Sequence, residues 1–426
     1  MSFYAACMKR FKIKFFLIIF FTLILFASCK QNLENQNLHV KNHPGKKVQW
    51  NFLIYMAADN ELEKEALNNI LEMRKTGSSD ELNILVLLDR SPGFDTRFGN
   101  WQGTKLFRLR KGEDDFSDDE IYDFEELNMK DAGNLNLFLD FAERNFPSEH
   151  TLLTLWSHGF ALYPEGTIGE KSKGSEISRS IISDYTTDFK TETSMSVQNL
   201  AGALKNHRID ILHFDACNMA MMEIIWEIES CVEYVISSQL AVPSCGMNYK
   251  GVLNLMNQNP FIERENLAKS FPVLFSEKYE ASDYRYSLSC VSTNQFRKFM
   301  EGFTSLCGEL KALSESDLEE IKKIREMQKS IYPDYEEQID LISFLDECSA
   351  CKNLSSPLQL GFDTCSGNLK ECLSVKNDRN TDSEIKGLSI NFPINKEQFL
   401  RYSDKNFARL KIYEATDFDI FLCNLR

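Results

Sequence analysis

Histidine is scarce in this chain of 426 residues: there are six, at positions 39, 43, 150, 158, 207 and 213. None lies near the cysteine-rich stretch Cys348-x-x-Cys351 with Cys365 and Cys372, whose spacing matches no standard zinc pattern. No metal site is therefore expected there, although an extracytoplasmic compartment leaves one or two disulfides open. No P-loop, dinucleotide fingerprint, EF-hand-like loop or internal repeat is present. Their absence argues against nucleotide chemistry and solenoid architecture. Positive charge is also in deficit, with 48 Lys and Arg against 63 Asp and Glu and a formal net charge of −15. An acidic surface argues against nucleic-acid partners and suits solubility or basic substrates. The apolar run Phe15 to Phe26 spans about a dozen residues, whereas a membrane-crossing helix needs roughly 20.

Two stretches stand out from this background. Ile209, Ile211, Leu212 and Phe214 form a short apolar run that reads as a strand buried on both faces of a parallel sheet. It ends at Asp215-Ala216-Cys217-Asn218, and helix-forming residues follow from Met219. Cys217 is thus placed where a strand ends and a helix begins. Ligands of open α/β sheets bind at that edge, and a helix N-terminus there lowers a thiol pKa. Thr151 to Trp156 has the same grammar and ends in Ser157-His158-Gly159. If the two strands are parallel neighbours, His158 and Cys217 emerge together, as a thiol nucleophile and a proton-transfer group require. His213, inside its strand, reads as a packed core residue.

Four blocks resemble the clostripain family of cysteine peptidases (peptidase family C11): Trp50 to Met73, Leu152 to Gly159, Ile211 to Ile224 and Tyr234 to Tyr249. Weaker echoes lie at 339–344, 386–393 and 416–422. The resemblance implies an α/β, caspase-like, mostly parallel sheet flanked by helices, with a mainly helical C-terminal extension. It also implies a cysteine endopeptidase with Cys217 as nucleophile and His158 as acid or base. The backbone N–H groups of Gly159 and Cys217 are then the natural oxyanion donors. Asp215 matches the aspartate that reads a basic P1 side chain, and bidentate pairing there favours Arg over Lys. Asp215 also reads as a helix N-cap, and Asp59 reads more readily as a cap for its own helix. Departures from the family pattern bear on P1 and P2 preference: Ser157, Gln239 and Leu240 stand where acids are common. Phe418 replaces a tryptophan and should affect packing only. Some relatives depend on calcium. With no supporting motif here, no cofactor is expected and calcium stays open.

In chain order, Lys9, Arg10, Lys12 and Lys14 precede the apolar run, and Ala27-Ser28-Cys29 follows it. This pattern resembles a bacterial lipoprotein signal in which residues 1–28 are removed and Cys29 is lipidated. Loss of the four cations would take the formal charge from −15 to −19. The expected products are a tether over 29–47, a catalytic core over 48–250 and a packed C-terminal part over 251–426. The acidic run Glu113 to Glu126 reads as a solvated loop. Residues 163–182, rich in Gly, Ser and Lys, form a loop with basic cleavage positions at Lys171, Lys173 and Arg179. Both self-processing and an uncut surface loop are open for it. Helices are expected near 134–144, 262–280, 291–312, 316–329 and 337–350, and strands near 286–291 and 388–392. The whole reads as a monomeric, lipid-anchored endopeptidase of the cell envelope acting on peptides or proteins. The competing reading is a catalytically silent surface lipoprotein that binds a partner.

Overall fold

Strand β1 (Val48–Ala58) is buried along almost its full length, because its side chains alternate between two covered faces of a sheet. The computed structural model describes residues 46–91, 93–159, 162, 182, 184, 195–331, 337–377, 385–395, 398 and 410–424. The lipoprotein signal with Cys29, and all of the 163–182 loop but Ile182, fall outside these residues.

Beside β1 lie β2 (Leu82–Arg90) and, on the other side, β5 (Ser148–Trp156), both parallel to it. Strands β6 (Ile209–Asp215) and β7 (Val232–Ser237) continue the parallel run. Each edge of this five-stranded centre is extended by antiparallel strands. These are β3 (Gly103–Arg108) and β4 (Glu120–Asp123) beyond β2, and β8 (Ser287–Ser292) and β10 (Leu373–Asn377) beyond β7. The order is β10-β8-β7-β6-β5-β1-β2-β3-β4. Strands β9 (Gln338–Asp340) and β11 (Ser389–Asn391) form a separate antiparallel pair.

Even-numbered side chains of β1 (Trp50, Phe52, Ile54, Met56) pack with helices α1 (Glu63–Arg74), α5 (Tyr249–Gln258) and α6 (Arg264–Tyr279). On the opposite face Tyr55 meets Phe138 of α2 (Ala132–Asn145). Helices α3 (Val197–Leu204) and α4 (Met222–Ile228) lie beyond. Each fully buried Phe, Leu or Ile contributes about 1.5–3 kcal/mol, so this two-faced core dominates the fold's stability. The C-terminal helices are α7 (Thr293–Leu310), α8 (Glu315–Met327), α9 (Leu341–Ala350), α10 (Ser356–Cys372), α11 (Lys411–Thr416) and α12 (Phe418–Asn424). Phe418 packs among the rings of Phe303, Phe392 and Phe421. Among the described residues no helix is long and apolar enough to cross a membrane.

The acidic run is not simply a solvated loop. It holds β4, and buried Asp119 is ion-paired with Arg74 at 2.9 Å and Arg110 at 2.6 Å. Helix α10 and strand β10 were not anticipated, and the first residues of the expected 337–350 helix are strand β9.

Candidate functional site

Parallel pairing of β5 and β6 places Trp156 opposite Asp215, so His158 and Cys217 each follow two residues beyond a matched pair. The two chains stay in close contact past the strand ends. A Cβ placed on Gly159 would lie 2.2 Å from the Cys217 carbonyl oxygen and 2.7 Å from its amide nitrogen. Only glycine permits that approach. The backbone next to His158 therefore rests directly on the backbone of Cys217.

Cys217 is partly exposed and enclosed by the segment after β7. The Asn218 N–H donates to Leu240 O at 3.1 Å and the Ala220 N–H to Ser238 O at 2.9 Å. The Val242 N–H points at the Cys217 Sγ from 3.3 Å. The C-terminal part braces this segment: Gln239 donates to Asp340 Oδ2 at 2.9 Å and accepts from the Gly387 N–H at 2.8 Å, while the Ser389 N–H donates to Ala220 O at 2.9 Å. Gln239 is thus a structural brace.

The expectation that a helix N-terminus activates this thiol is corrected. Asn218 adopts φ 61°, the chain turns, and α4 starts only at Met222. The Cys217 thiol is pushed up by burial; the Val242 N–H opposes that rise and the nearby Asp215 adds to it.

His158 is half-buried, and its Nε2 lies 2.9 Å from Glu61 Oε1. Glu61 was not singled out from sequence, although it stands just past β1 on the rim that carries His158. Asp215 is buried and is not a helix cap, since α4 is capped at Met221. Its Oδ2 accepts from the Tyr249 hydroxyl at 2.6 Å and the Met247 N–H at 3.1 Å. Gly246, at φ 64°, lies so close that an added Cβ would come 2.5 Å from the same oxygen. His213 is a core residue: it shares a 3.1 Å contact with Thr154 Oγ1, packs on Phe271, and burial lowers it to about 4.

Asp59 does not cap its helix: α1 begins after Leu62, with no side-chain cap. Asp59 is instead fully buried, with a carboxylate oxygen within 4.8 Å of ligand atoms of Asp89 and Glu126. Sequence reading missed this grouping, because its members lie on three separate segments. None of the ten described cysteines forms a disulfide. Burial raises Cys365 and Cys372 to about 12.

A central parallel sheet with helices on both faces, carrying a cysteine and a histidine past adjacent strand ends, defines a caspase-like α/β protein. The clostripain family model (Peptidase C11) matches residues 54–409, and the chain belongs to that family. Clostripain of Hathewaya histolytica is 30% identical over 214 residues, covering 46% of this chain and 38% of that protein's length. A secreted C11 cysteine protease from Bacteroides thetaiotaomicron, in complex with an irreversible peptide inhibitor, aligns with TM-score 0.63 at 18% identity. That match covers 87% of this chain and 100% of the other. An inactive zymogen C11 protease from Parabacteroides distasonis gives the same score and identity over 87% and 99%. These two likenesses speak to the fold.

Proposed function

We propose that this chain is a cysteine endopeptidase that hydrolyses peptide bonds after basic residues, with Cys217 as nucleophile and His158 as acid and base. The observation that carries the reading is the β5–β6 register, with Gly159 seated against Cys217. That packing supports an imidazole and a thiol sharing one crevice. The N–H groups of Gly159 and Cys217 are the proposed oxyanion donors.

As the Cys217 sulfur bonds to the substrate carbonyl carbon, its proton passes to His158. As the C–N bond breaks, His158 gives a proton to the departing amine. Water then hydrolyses the thioester, releasing the acid and restoring the thiol. Burial makes the thiol hold its proton more tightly than a free cysteine does, which gives His158 a proton to accept as the C–S bond forms. Glu61 stands close enough to orient the imidazole and stabilise its charged form.

Asp215 reads the P1 cation. Among the described residues both hydrogen bonds to its carboxylate end on Oδ2, which leaves Oδ1 for the substrate in this proposal. A single oxygen makes an end-on contact, so Lys and Arg are accepted more evenly than a bidentate pair would allow. Lipidation at Cys29 would hold the enzyme outside the cytoplasm, where peptides and proteins are its substrates. Self-cleavage within 163–182 belongs to the same proposal.

A basic acyloxymethyl ketone tests the reading. It should label Cys217, and Cys217→Ala should abolish both labelling and turnover, with kcat falling on the order of 10⁶-fold. His158→Ala should slow turnover by roughly 10²- to 10⁴-fold. An inert Cys217 in folded protein would favour the silent binding reading.

A further inference from the structure

The opposite edge of the sheet, where β5 and β6 begin, carries a group of side chains that peptide hydrolysis does not use. Asp140 and Glu143 stand about one helical turn apart on α2, so they share a face. Helix α2 packs against α3, and His207 sits in the turn that leaves α3, its N–H donating to Leu204 O at 3.0 Å. The chain then enters β6 at Ile209. One ligand atom each from Asp140, Glu143 and His207 lies within 4.8 Å of the others. The Asp140 and Glu143 side chains are each 44% exposed, whereas that of His207 is 3% exposed.

A second observation concerns the imidazole. Its Nε2 lies 3.1 Å from Asn136 Oδ1, one turn back on the same face of α2. A carbonyl oxygen only accepts, so Nε2 carries the ring hydrogen, and the neutral ring turns the lone pair of Nδ1 towards the carboxylates. That Nδ1 is buried and stands 3.1 Å from Glu143 Oε1, yet the two have no hydrogen-bond geometry. A lone pair in contact with a carboxylate oxygen is repelled, and a buried nitrogen without a hydrogen bond is costly. Two atoms bound to one zinc at about 2.1 Å stand roughly 3.0–3.4 Å apart at ordinary ligand angles, which is the spacing of this pair. An outer carbonyl that fixes the tautomer and ring orientation is also how metal-bound histidines are held.

An imidazole nitrogen beside two carboxylates suits zinc rather than calcium or magnesium, which take oxygen donors. We infer that His207 Nδ1, Asp140 and Glu143 bind a zinc ion, clamping α2 to the turn that feeds β6. Arg144 Nη2, 3.3 Å from Asp140 Oδ2, is a competing cation, but an exposed pair of that kind is weak. The site lies at the other end of β6 from Cys217, and the inference stands whether or not Cys217 is a nucleophile.

The test uses full-length Cys217→Ala protein, so that neither proteolysis nor the crevice thiol plays a part. Zinc is titrated by calorimetry, and melting is compared in zinc and in chelator. Binding is expected with a Kd on the order of micromolar, weaker than at a structural site with four protein ligands. At roughly a hundredfold excess over Kd the melting temperature should rise by about 3 °C. X-ray absorption at the zinc edge should show nitrogen and oxygen neighbours at about 2.0–2.1 Å and no sulfur at about 2.3 Å. His207→Gln should abolish binding. Glu143→Gln and Asp140→Asn, at solvent-facing positions, should each weaken it at least about tenfold, and they serve if His207→Gln fails to fold. Asn136→Ala, which releases the ring, should weaken binding by about tenfold to a hundredfold. Arg144→Gln removes the competing cation and should tighten it by about two- to fivefold. Glu126→Gln, in the separate Asp59–Asp89–Glu126 grouping, should leave it intact. The inference is overturned if zinc does not bind, since His207 and Glu143 are then a plain ion pair. It is equally overturned if sulfur surrounds the bound zinc, or if binding survives both Glu143→Gln and Asp140→Asn.

Discussion

Two neighbouring stretches of one sheet rim solve opposite problems. Past β5 and β6, backbone meets backbone at Gly159 and Cys217, and burial pushes the thiol pKa up. Past β1 and β2, three carboxylates converge and concentrate charge instead. The first crevice is built by main chain and needs small residues, whereas the second is built by side chains from separate segments. Strand ends thus set where chemistry can occur, and the residues just past them set its sign.

The largest expected loss of stability tests the charged side of this comparison. Arg90 and Glu63 form a fully buried pair at 2.6 Å, and Glu63 Oε2 also accepts from the Asp95 N–H at 2.7 Å. Glu63→Ala leaves the buried guanidinium with the Arg97 and Asp95 carbonyl oxygens but no counter-charge, and should cost about 3–5 kcal/mol, read as a lower urea midpoint. An unchanged midpoint would mean that this rim tolerates uncompensated charge.

Gly159→Ala tests the uncharged side. The added methyl cannot fit against Cys217, so the crevice must open, and a shift of about 1 Å costs on the order of 10² in kcat/KM. Far-ultraviolet circular dichroism should stay native. Activity within threefold of wild type would show that the contact does not position the site.

Asp215→Asn keeps the shape but removes the charge. Turnover of Lys and Arg substrates should fall by roughly tenfold to a hundredfold, with little change for a neutral P1 residue. An equal loss for both kinds of substrate would assign Asp215 to holding Tyr249 and Met247 only.

The smallest effect concerns pH. Buried Glu223 accepts from the Asn391 N–H at 2.8 Å, and burial raises it to about 7. A carboxyl raised in the folded state stabilises fully below its unfolded pKa, near 4.5, and that contribution is lost as pH rises through about 7. Glu223→Gln should flatten the stability profile across that window. A profile as steep as wild type would place the titration elsewhere.

The parallel centre was legible because its strands are short apolar runs that end in polar residues, and His158 and Cys217 were placed by that rule. The turn at Asn218 was not legible: Met219-Ala220-Met221-Met222 favours helix locally, but its backbone bonds go to Ser238 and Ser389 instead. Helix α10 was hidden by Gly361 and Gly367, each costing about 1 kcal/mol in a helix. A Cβ on Gly361 would come 3.1 Å from the Leu306 side chain of α7, a tight contact that the glycine avoids. The grouping of Asp59, Asp89 and Glu126 left no local pattern, since only the sheet order brings it together.

The most direct measurement is to expose the protein to a basic acyloxymethyl ketone and locate the adduct by peptide mapping. Modification confined to Cys217, and slowed by His158→Ala, is the predicted result. Modification at the exposed Cys245 or Cys423 with Cys217 untouched would contradict the account.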